Sequence, residues 1–322
     1  MEDNDFYPQK PDLIEEKSKG KLSTTVFSMV LFIMTFLFLF AEEVDFIFHL
    51  IIVLLIHELG HFLLMKLFKY KNVRMLFVPL MGAFVQGNKE EYSQRQSLWV
   101  VIAGPLPGII IGTILLILAV IVHQTWMVDL GLLFLFLNIL NLIPLDPLDG
   151  GQIFRLLMKK DHDLFLLIFS FLSSLVLISF GWYLDSWVMI IFGFLMGLRV
   201  RSIQINYHFR KEMKDEDIEY TISYEKLSNR DFSKIKEILI SNKPTLKFYL
   251  DELSIDESGP IIASQVNNVL VSPVHKDAGT LFKVILIMIW ISIILAPFFI
   301  FIFLNSSIKL HYGWYLDYLS NQ

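Results

Sequence analysis

The chain has 322 residues, of which 55% are hydrophobic, 14% are aromatic and only 18% are charged. A soluble domain of this length has fewer apolar residues and intersperses them with polar ones, so this composition excludes an ordinary soluble domain. The net charge of -5 is weak and predicts no binding of nucleic acid, and the absence of cysteine excludes disulfides and thiolate metal ligands.

The apolar residues form blocks of about 18 to 25, the length that a helix needs to cross the hydrocarbon core of a bilayer. We therefore predict an all-α polytopic membrane protein with about seven transmembrane helices in contact with the lipid bilayer. A polar N-terminal tail at 1–21 precedes the first predicted span at 22–40. No small-residue cleavage site follows that span, so we predict that it is retained rather than removed as a signal peptide.

The second predicted span, residues 44–68, contains the sequence HELGH at 57–61. On a helix, His57 and His61 project from one face, so both can bind one zinc ion, and Glu58 can act as a general base on water. Ionisable side chains at membrane depth are costly unless they are paired or solvated, so their first interpretation is functional. The pattern predicts metal-dependent hydrolysis inside a bilayer.

The next apolar segment, residues 75–87, is too short to cross a membrane. Its β-branched and aromatic residues, with proline and glycine among them, predict a small β-hairpin or re-entrant element packed against protein. The third predicted span, residues 98–122, contains Ala-Gly-Pro-Leu-Pro-Gly at 103–108. These small residues allow another helix to approach closely, and the proline predicts a kink.

The fourth predicted span begins near Leu130 and ends where Pro144 and Pro147 break the helix. With no cysteine in the chain, the third protein ligand of a zinc site must be Asp, Glu or another His. Asp149 is the best candidate, because it occupies a broken-helix segment predicted level with the histidines. The alternatives are that Asp149 caps the following helix, for which Asp is a favoured residue, and that Asp146 takes part in the site.

Two further apolar spans, at 164–180 and 187–198, complete a predicted membrane-embedded region at 22–198. A last predicted transmembrane helix at 281–304 is followed by a polar tail at 305–322. We find no internal repeat in the chain.

Residues 199–279 carry charged and polar residues throughout and predict a small soluble α+β insertion. Residues 227–241 have the pattern of an amphipathic helix, and residues 266–274 have that of a strand. Lysine and arginine cluster after the second, fourth and sixth predicted spans and before the first and seventh. Because basic residues favour the cytoplasmic side, this distribution predicts a cytoplasmic N-terminus and a cytoplasmic 199–279 domain. We expect a multi-pass protein of the cytoplasmic (inner) membrane of a bacterium, with its N-terminus inside.

A second motif follows HELGH after about 80 residues, as Asn141, Pro144, Leu148, Asp149 and Gly150 in the order Asn-x-x-Pro-x-x-x-Leu-Asp-Gly. The two motifs together resemble the site-2 protease family of intramembrane zinc metalloproteases. The resemblance covers about residues 44–160, including the hairpin-like segment and the Gly-Pro step in the third span.

The resemblance implies that His57, His61 and Asp149 bind one zinc ion per chain and that Glu58 activates water. It also implies a position near the catalytic centre for Asn141, where this residue would hold substrate or stabilise the oxyanion.

The function expected from the resemblance is that of a zinc-dependent intramembrane endopeptidase, which hydrolyses peptide bonds within or next to transmembrane segments of other membrane proteins. An unwound substrate could bind by edge addition to the segment at 75–87, although simple packing explains that segment equally well. The alternatives are a non-proteolytic zinc-binding membrane scaffold or transporter, and an anchored HExxH protease with a soluble catalytic domain and a Glu as third ligand. A transporter would show polar residues along several spans, whereas here they concentrate in the second and fourth.

Overall fold

The computed structural model describes residues 7–13, 22–39, 44–79, 82–157, 163–243, 246, 248 and 255–320. Residues 1–6 and 14–21 of the predicted N-terminal tail, Phe40 of the first predicted span and the last two residues of the predicted C-terminal tail lie outside the described residues. The chain forms two compact units. The core unit comprises 20–88, 94–160 and 276–322, and the accessory unit comprises 1–19, 89–93 and 161–275.

Both units consist mainly of helices. In chain order the elements are α1 Leu22–Leu39, α2 Val44–Leu67, β1 Lys71–Val78, β2 Gly82–Asn88, β3 Tyr92–Ser93, α3 Gln94–Ala103, α4 Pro105–Val122, α5 Thr125–Asn141, α6 Asp149–Leu157, α7 Asp163–Tyr183, α8 Trp187–Asp215, α9 Asn229–Asn242, α10 Ile255–Val269, β4 Val274–His275 and α11 Thr280–Ser320.

The helical membrane class is confirmed, but the predicted number of about seven spans is not. Within the described ranges, four helical stretches are long and apolar enough to cross a membrane: Val44–Leu67, Gln94–Val122, Asp163–Tyr183 and Trp187–Asp215. Shorter apolar helices lie at Ser23–Phe38, Thr125–Asn141 and Thr280–Leu295. The fourth predicted span is one of these, because α5 ends at Asn141, just before the prolines that break the helix.

The third predicted span is interrupted at Gly104, where α3 ends and α4 begins with Pro105. The interruption lies against α2. A Cβ atom on Gly60 would lie 1.8 Å from the carbonyl oxygen of Ala103, and one on Gly104 would lie 2.2 Å from Nε2 of His61. Only glycine allows both approaches, so the small residues bring the α3–α4 junction directly against the HELGH segment.

The segment predicted as a β-hairpin forms one, with β1 and β2 antiparallel. Its register pairs Met75 with Val85 and Phe77 with Ala83. Helix α1 lies along the outer edge of β1. The hydroxyl of Thr25 donates to the carbonyl of Met75 at 2.7 Å, and the N–H of Phe77 donates to the hydroxyl of Ser28 at 3.2 Å.

Two apolar clusters fix the helices of the core unit. In the first, Val53 of α2 packs with Leu130 and Phe134 of α5. The second joins α3, α6 and α11 through a larger set: Leu98, Val101, Leu142, Ile153, Ala278, Leu286 and Trp290. The indole N–H of Trp290 also donates to the carbonyl of Leu142 at 2.8 Å, so the end of α5 is held from a second side.

In the accessory unit, α7 and α8 pack closely through small residues. The hydroxyl of Ser174 donates to the carbonyl of Gly193 at 2.7 Å. Helix α8 does not end at Leu198, where the sixth predicted span ends, but runs 29 residues to Asp215. The apolar stretch and the start of the 199–279 region are therefore parts of one continuous helix.

The prediction of a strand at 266–274 is wrong. Ile262, Ala263, Val266 and Val269 are buried at helical spacing within α10, and this periodicity outweighs the β-branched composition. The described residues of 199–279 are mainly helical rather than α+β, and β4 is only two residues long and pairs in parallel with β3. The predicted amphipathic helix at 227–241 corresponds to α9.

The N-terminal segment 7–13 packs on the accessory unit. The ammonium group of Lys10 donates to the carbonyl oxygens of Tyr224, Glu225 and Leu227 at 2.6, 2.9 and 2.7 Å. The phenol of Tyr224 donates to the carbonyl of Pro11 at 2.7 Å, and its burial raises the pKa of Tyr224 to about 12. These hydrogen bonds hold residues 7–13 of the predicted tail against the segment Tyr224–Leu227.

Candidate metal centre

Helix α2 places both histidines of HELGH on its buried face, where His57 is 5% exposed and His61 is 8% exposed. Each ring is fixed through Nδ1. The Nδ1–H of His57 donates to Oδ1 of Asn138 at 2.8 Å, and the Nδ1–H of His61 donates to the carbonyl oxygen of Val100 at 2.8 Å. Because Nδ1 carries the proton in both rings, both Nε2 atoms present a free lone pair.

The two Nε2 atoms converge on the carboxylate of Asp149. They are 3.2 Å apart, and Oδ2 of Asp149 lies 3.1 Å from Nε2 of His57 and 3.3 Å from Nε2 of His61. Three lone-pair donors therefore face one another in a buried position, and Oδ2 has no hydrogen-bond donor there. Such an arrangement is unfavourable without a cation, so the three side chains fit a metal ion.

Asp149 reaches this position because α6 starts very close to the loop that follows α5. A Cβ atom on Gly150 would lie 2.0 Å from the carbonyl oxygen of Leu142, and one on Gly151 would lie 2.4 Å from that of Leu145. The two glycines of the motif thus allow the first turn of α6 to approach. Oδ1 of Asp149 accepts from the side chain of Gln152 at 3.4 Å, while Oδ2 faces the histidines.

A family comparison covers the two histidines of this site. Residues 45–129, which include HELGH but not Asp149, match the model of peptidase family M50. The chain contains a domain of this family. This confirms the similarity inferred from the two motifs and identifies the chain as a metallopeptidase.

Two relatives of this metallopeptidase are similar over different shares of the chain. A zinc metalloprotease of Methanocaldococcus jannaschii is 24% identical over 273 residues, which cover 80% of this chain and 72% of the relative. The stage IV sporulation protein FB of Bacillus subtilis is 33% identical over 117 residues, which cover 34% of this chain and 39% of that protein. The solved structure of a site-2 protease from M. jannaschii aligns with a TM-score of 0.44 at 24% identity, covering 56% of this chain and 87% of that chain.

The remaining candidate residues have different surroundings. Glu58 is buried, with 4% exposure, and close enough to interact electrostatically with all three ligands. Asn141 is half-buried, and its amide donates to the carbonyl of Leu137 within its own helix at 3.1 Å. Asp146 is buried, and its Oδ1 lies 3.9 Å from a guanidinium nitrogen of Arg155. The cluster of three ligands is formed by His57, His61 and Asp149 and does not include it.

Asn138 of the peptidase was not singled out from the sequence, although it is fully buried and contacts His57 directly. It lies one helical turn before Asn141. The available signal was an amide inside an apolar helix, where a polar side chain needs a partner. The Asn-x-x-Pro motif begins three residues later, at Asn141, and therefore does not include Asn138.

Proposed function

We propose that this M50 peptidase is a zinc-dependent intramembrane endopeptidase that hydrolyses peptide bonds within or next to transmembrane segments of other membrane proteins. One observation carries the proposal: His57 and His61 on the apolar helix α2 and Asp149 at the start of α6 lie close together in a buried position. One zinc ion per chain fits two neutral imidazoles and one carboxylate, a ligand set that leaves a fourth position open.

When bound, zinc supplies a Lewis acid that polarises the scissile carbonyl and lowers the pKa of water to about 7. The imidazoles of His57 and His61 would hold it through Nε2, and Asp149 would hold it through Oδ2. Glu58, one residue along α2 from His57, takes a proton from the attacking water and returns it to the leaving nitrogen. Because this carboxylate is buried, bulk water does not solvate it and draw it away from the reacting atoms.

The β-hairpin supports a route for the substrate. Met75 and Phe77 direct their free backbone groups to α1, so their partners Val85 and Ala83 direct theirs to the opposite edge of the hairpin. Among the described residues, no hydrogen bond is recorded to the outward N–H groups of Ala83 and Val85. The β1 edge is therefore occupied by α1, whereas no described residue hydrogen-bonds to Ala83 and Val85 on the β2 edge, and we propose that an unwound substrate segment pairs with β2.

We also propose that the protein lies in the cytoplasmic membrane of a bacterium with its N-terminus inside. The distribution of basic residues supports that orientation, and it puts the 199–279 domain in the cytoplasm. The substrates would be transmembrane proteins or peptides that reach the site within the bilayer.

The catalytic proposal is tested with Glu58→Gln in the full-length protein, co-expressed with a tethered transmembrane substrate. We expect the variant to retain zinc, measured as metal per purified chain, and to lose cleavage. Leu59→Ala changes an exposed neighbour on the same helix and should retain both. Full cleavage by Glu58→Gln would refute the base assignment, and a wild type that binds zinc without cleaving any tethered segment would favour a scaffold or transporter.

The substrate route is tested by two prolines at directly opposed positions, Val85→Pro and Met75→Pro. Each removes one outward N–H and spares the hydrogen bonds between the strands. We expect Val85→Pro to slow cleavage of a tethered substrate and Met75→Pro to slow it much less. Equal effects at the two edges would contradict substrate pairing on β2.

A further inference from the structure

The two metal-site histidines are held by different kinds of group. His61 donates to a backbone carbonyl, which no substitution of a side chain removes, whereas His57 depends on the side chain of Asn138. We propose that Asn138 is the positioning residue of the metal centre, and that its amide oxygen selects the tautomer and ring orientation of His57. The inference rests on the proposed zinc-peptidase function and deepens it.

The orientation of the amide follows from its second contact. Nδ2 of Asn138 donates to the carbonyl oxygen of Phe134 at 2.7 Å. A carbonyl oxygen can only accept, so the amide nitrogen must face Phe134 and Oδ1 must face His57. Because Oδ1 also only accepts, His57 must carry its proton on Nδ1. Its Nε2 is then left unprotonated, in the form required of a metal ligand.

A glycine makes room for this contact. A Cβ atom on Gly108 of α4 would lie 2.1 Å from Nδ2 of Asn138 and 2.7 Å from its Oδ1. Helices α2, α4 and α5 thus meet at one amide that is 0% exposed. The small residues at 103–108 therefore serve both histidines, since Gly104 accommodates the ring of His61 and Gly108 accommodates the partner of His57.

The chemistry of an amide suits this position. A neutral amide costs less to bury in a bilayer than a carboxylate, and it leaves the charge of the metal site to Asp149 and Glu58. Away from water, its hydrogen bond to His57 meets no competing donor or acceptor. Groups that orient metal-ligating histidines in this way are worth about 10–100-fold in metal affinity or activity.

The experiment measures zinc affinity of the purified full-length protein by competition with a chelator. Asn138→Leu keeps the approximate shape and removes the acceptor, and we expect it to weaken zinc binding by about 10–100-fold. Asn138→Asp retains an acceptor for Nδ1–H but loses the donor to the carbonyl of Phe134, so it should bind zinc more tightly than Asn138→Leu and less tightly than the wild type. Unfolding temperatures measured with and without zinc separate a positioning role of Asn138 from a purely structural one. A positioning role lowers chiefly the increase in unfolding temperature that zinc adds.

Two glycine variants in the α4–α5 interface serve as a matched pair if Asn138→Leu does not fold. Gly108→Ala crowds Asn138 and should weaken zinc binding. Gly131→Ala on α5 crowds the side chain of Leu116, 3.1 Å from the new Cβ, and should leave zinc binding unchanged.

The proposal is overturned if Asn138→Leu or Gly108→Ala binds zinc like the wild type, or if the leucine and aspartate variants lose it equally. A wild type that binds no zinc would remove the proposed function and this inference together. Wild-type zinc binding that Asn138→Leu does not weaken would remove the inference alone.

Discussion

Helices α2 and α5 of the core unit and helices α7 and α8 of the accessory unit are both apolar pairs with buried polar residues, yet they use these residues differently. In α7 and α8 the buried polar groups are serine hydroxyls, and Ser174 bonds to the backbone of the neighbouring helix. In α2 the buried groups are ionisable, and their lone pairs converge on one point with Asp149. Buried polarity alone therefore indicates packing, whereas convergence of lone pairs without a proton between them indicates a metal site.

The strongest way to break this comparison is Asp149→Ala. We expect zinc to fall from one per chain to near zero and cleavage to fall below detection, because two neutral imidazoles alone form a weak site. Metal analysis of the purified chain beside a cleavage assay measures both. Asp146→Ala removes another buried carboxylate from the same loop and should keep zinc bound. Undiminished zinc in Asp149→Ala would contradict the assignment of the third ligand.

The next largest effects distinguish a glycine that packs against α2 from a glycine within the α7–α8 pair. Gly104→Ala places a Cβ 2.2 Å from Nε2 of His61 and should displace this ligand, lowering cleavage by about 100-fold. Gly193→Ala places a Cβ 2.7 Å from Cγ1 of Ile178 and should lower the free energy of unfolding by about 1–3 kcal/mol without changing zinc affinity. Zinc titration and denaturant unfolding would show the contrast, which disappears if both variants lose zinc.

The smallest expected effect comes from Ser174→Ala. The variant loses one hydrogen bond to Gly193, which is worth about 0.6 kcal/mol in membrane helices. Steric trapping or denaturant unfolding in detergent measures this change, and zinc content and cleavage should stay at wild-type values. A fall in cleavage larger than the lost stability explains would show that α7 and α8 contribute to catalysis. That result would contradict the contrast between the two helix pairs.

The shared helix face of His57 and His61 and the hairpin could be predicted from the sequence because local spacing determines them. Two histidines four residues apart share a helix face, and an apolar segment of 13 residues cannot cross a bilayer. Asn138 could not be predicted in this way, because its partner His57 lies 81 residues away and no spacing rule links them.

The extent of α8 was missed for a different physical reason. Charged residues from Arg199 onward mark where the chain leaves the hydrocarbon core, but they do not end a helix. The strand at 266–274 was predicted from β-branched residues that pack equally well on the buried face of α10. Composition thus predicted the environment of each segment but left the local backbone conformation to tertiary packing.

Residues 7–13 and Tyr224–Leu227 share one side of the membrane, because Lys10 hydrogen-bonds to three carbonyls of that segment. The number of crossings between Leu13 and Tyr224 must then be even. With one crossing for each of the four stretches that are long and apolar enough to span a bilayer, α1 and α5 either both cross the bilayer or both do not. In a chain with no native cysteine, a single cysteine introduced between α1 and α2 and labelled from one side would decide the topology of both helices.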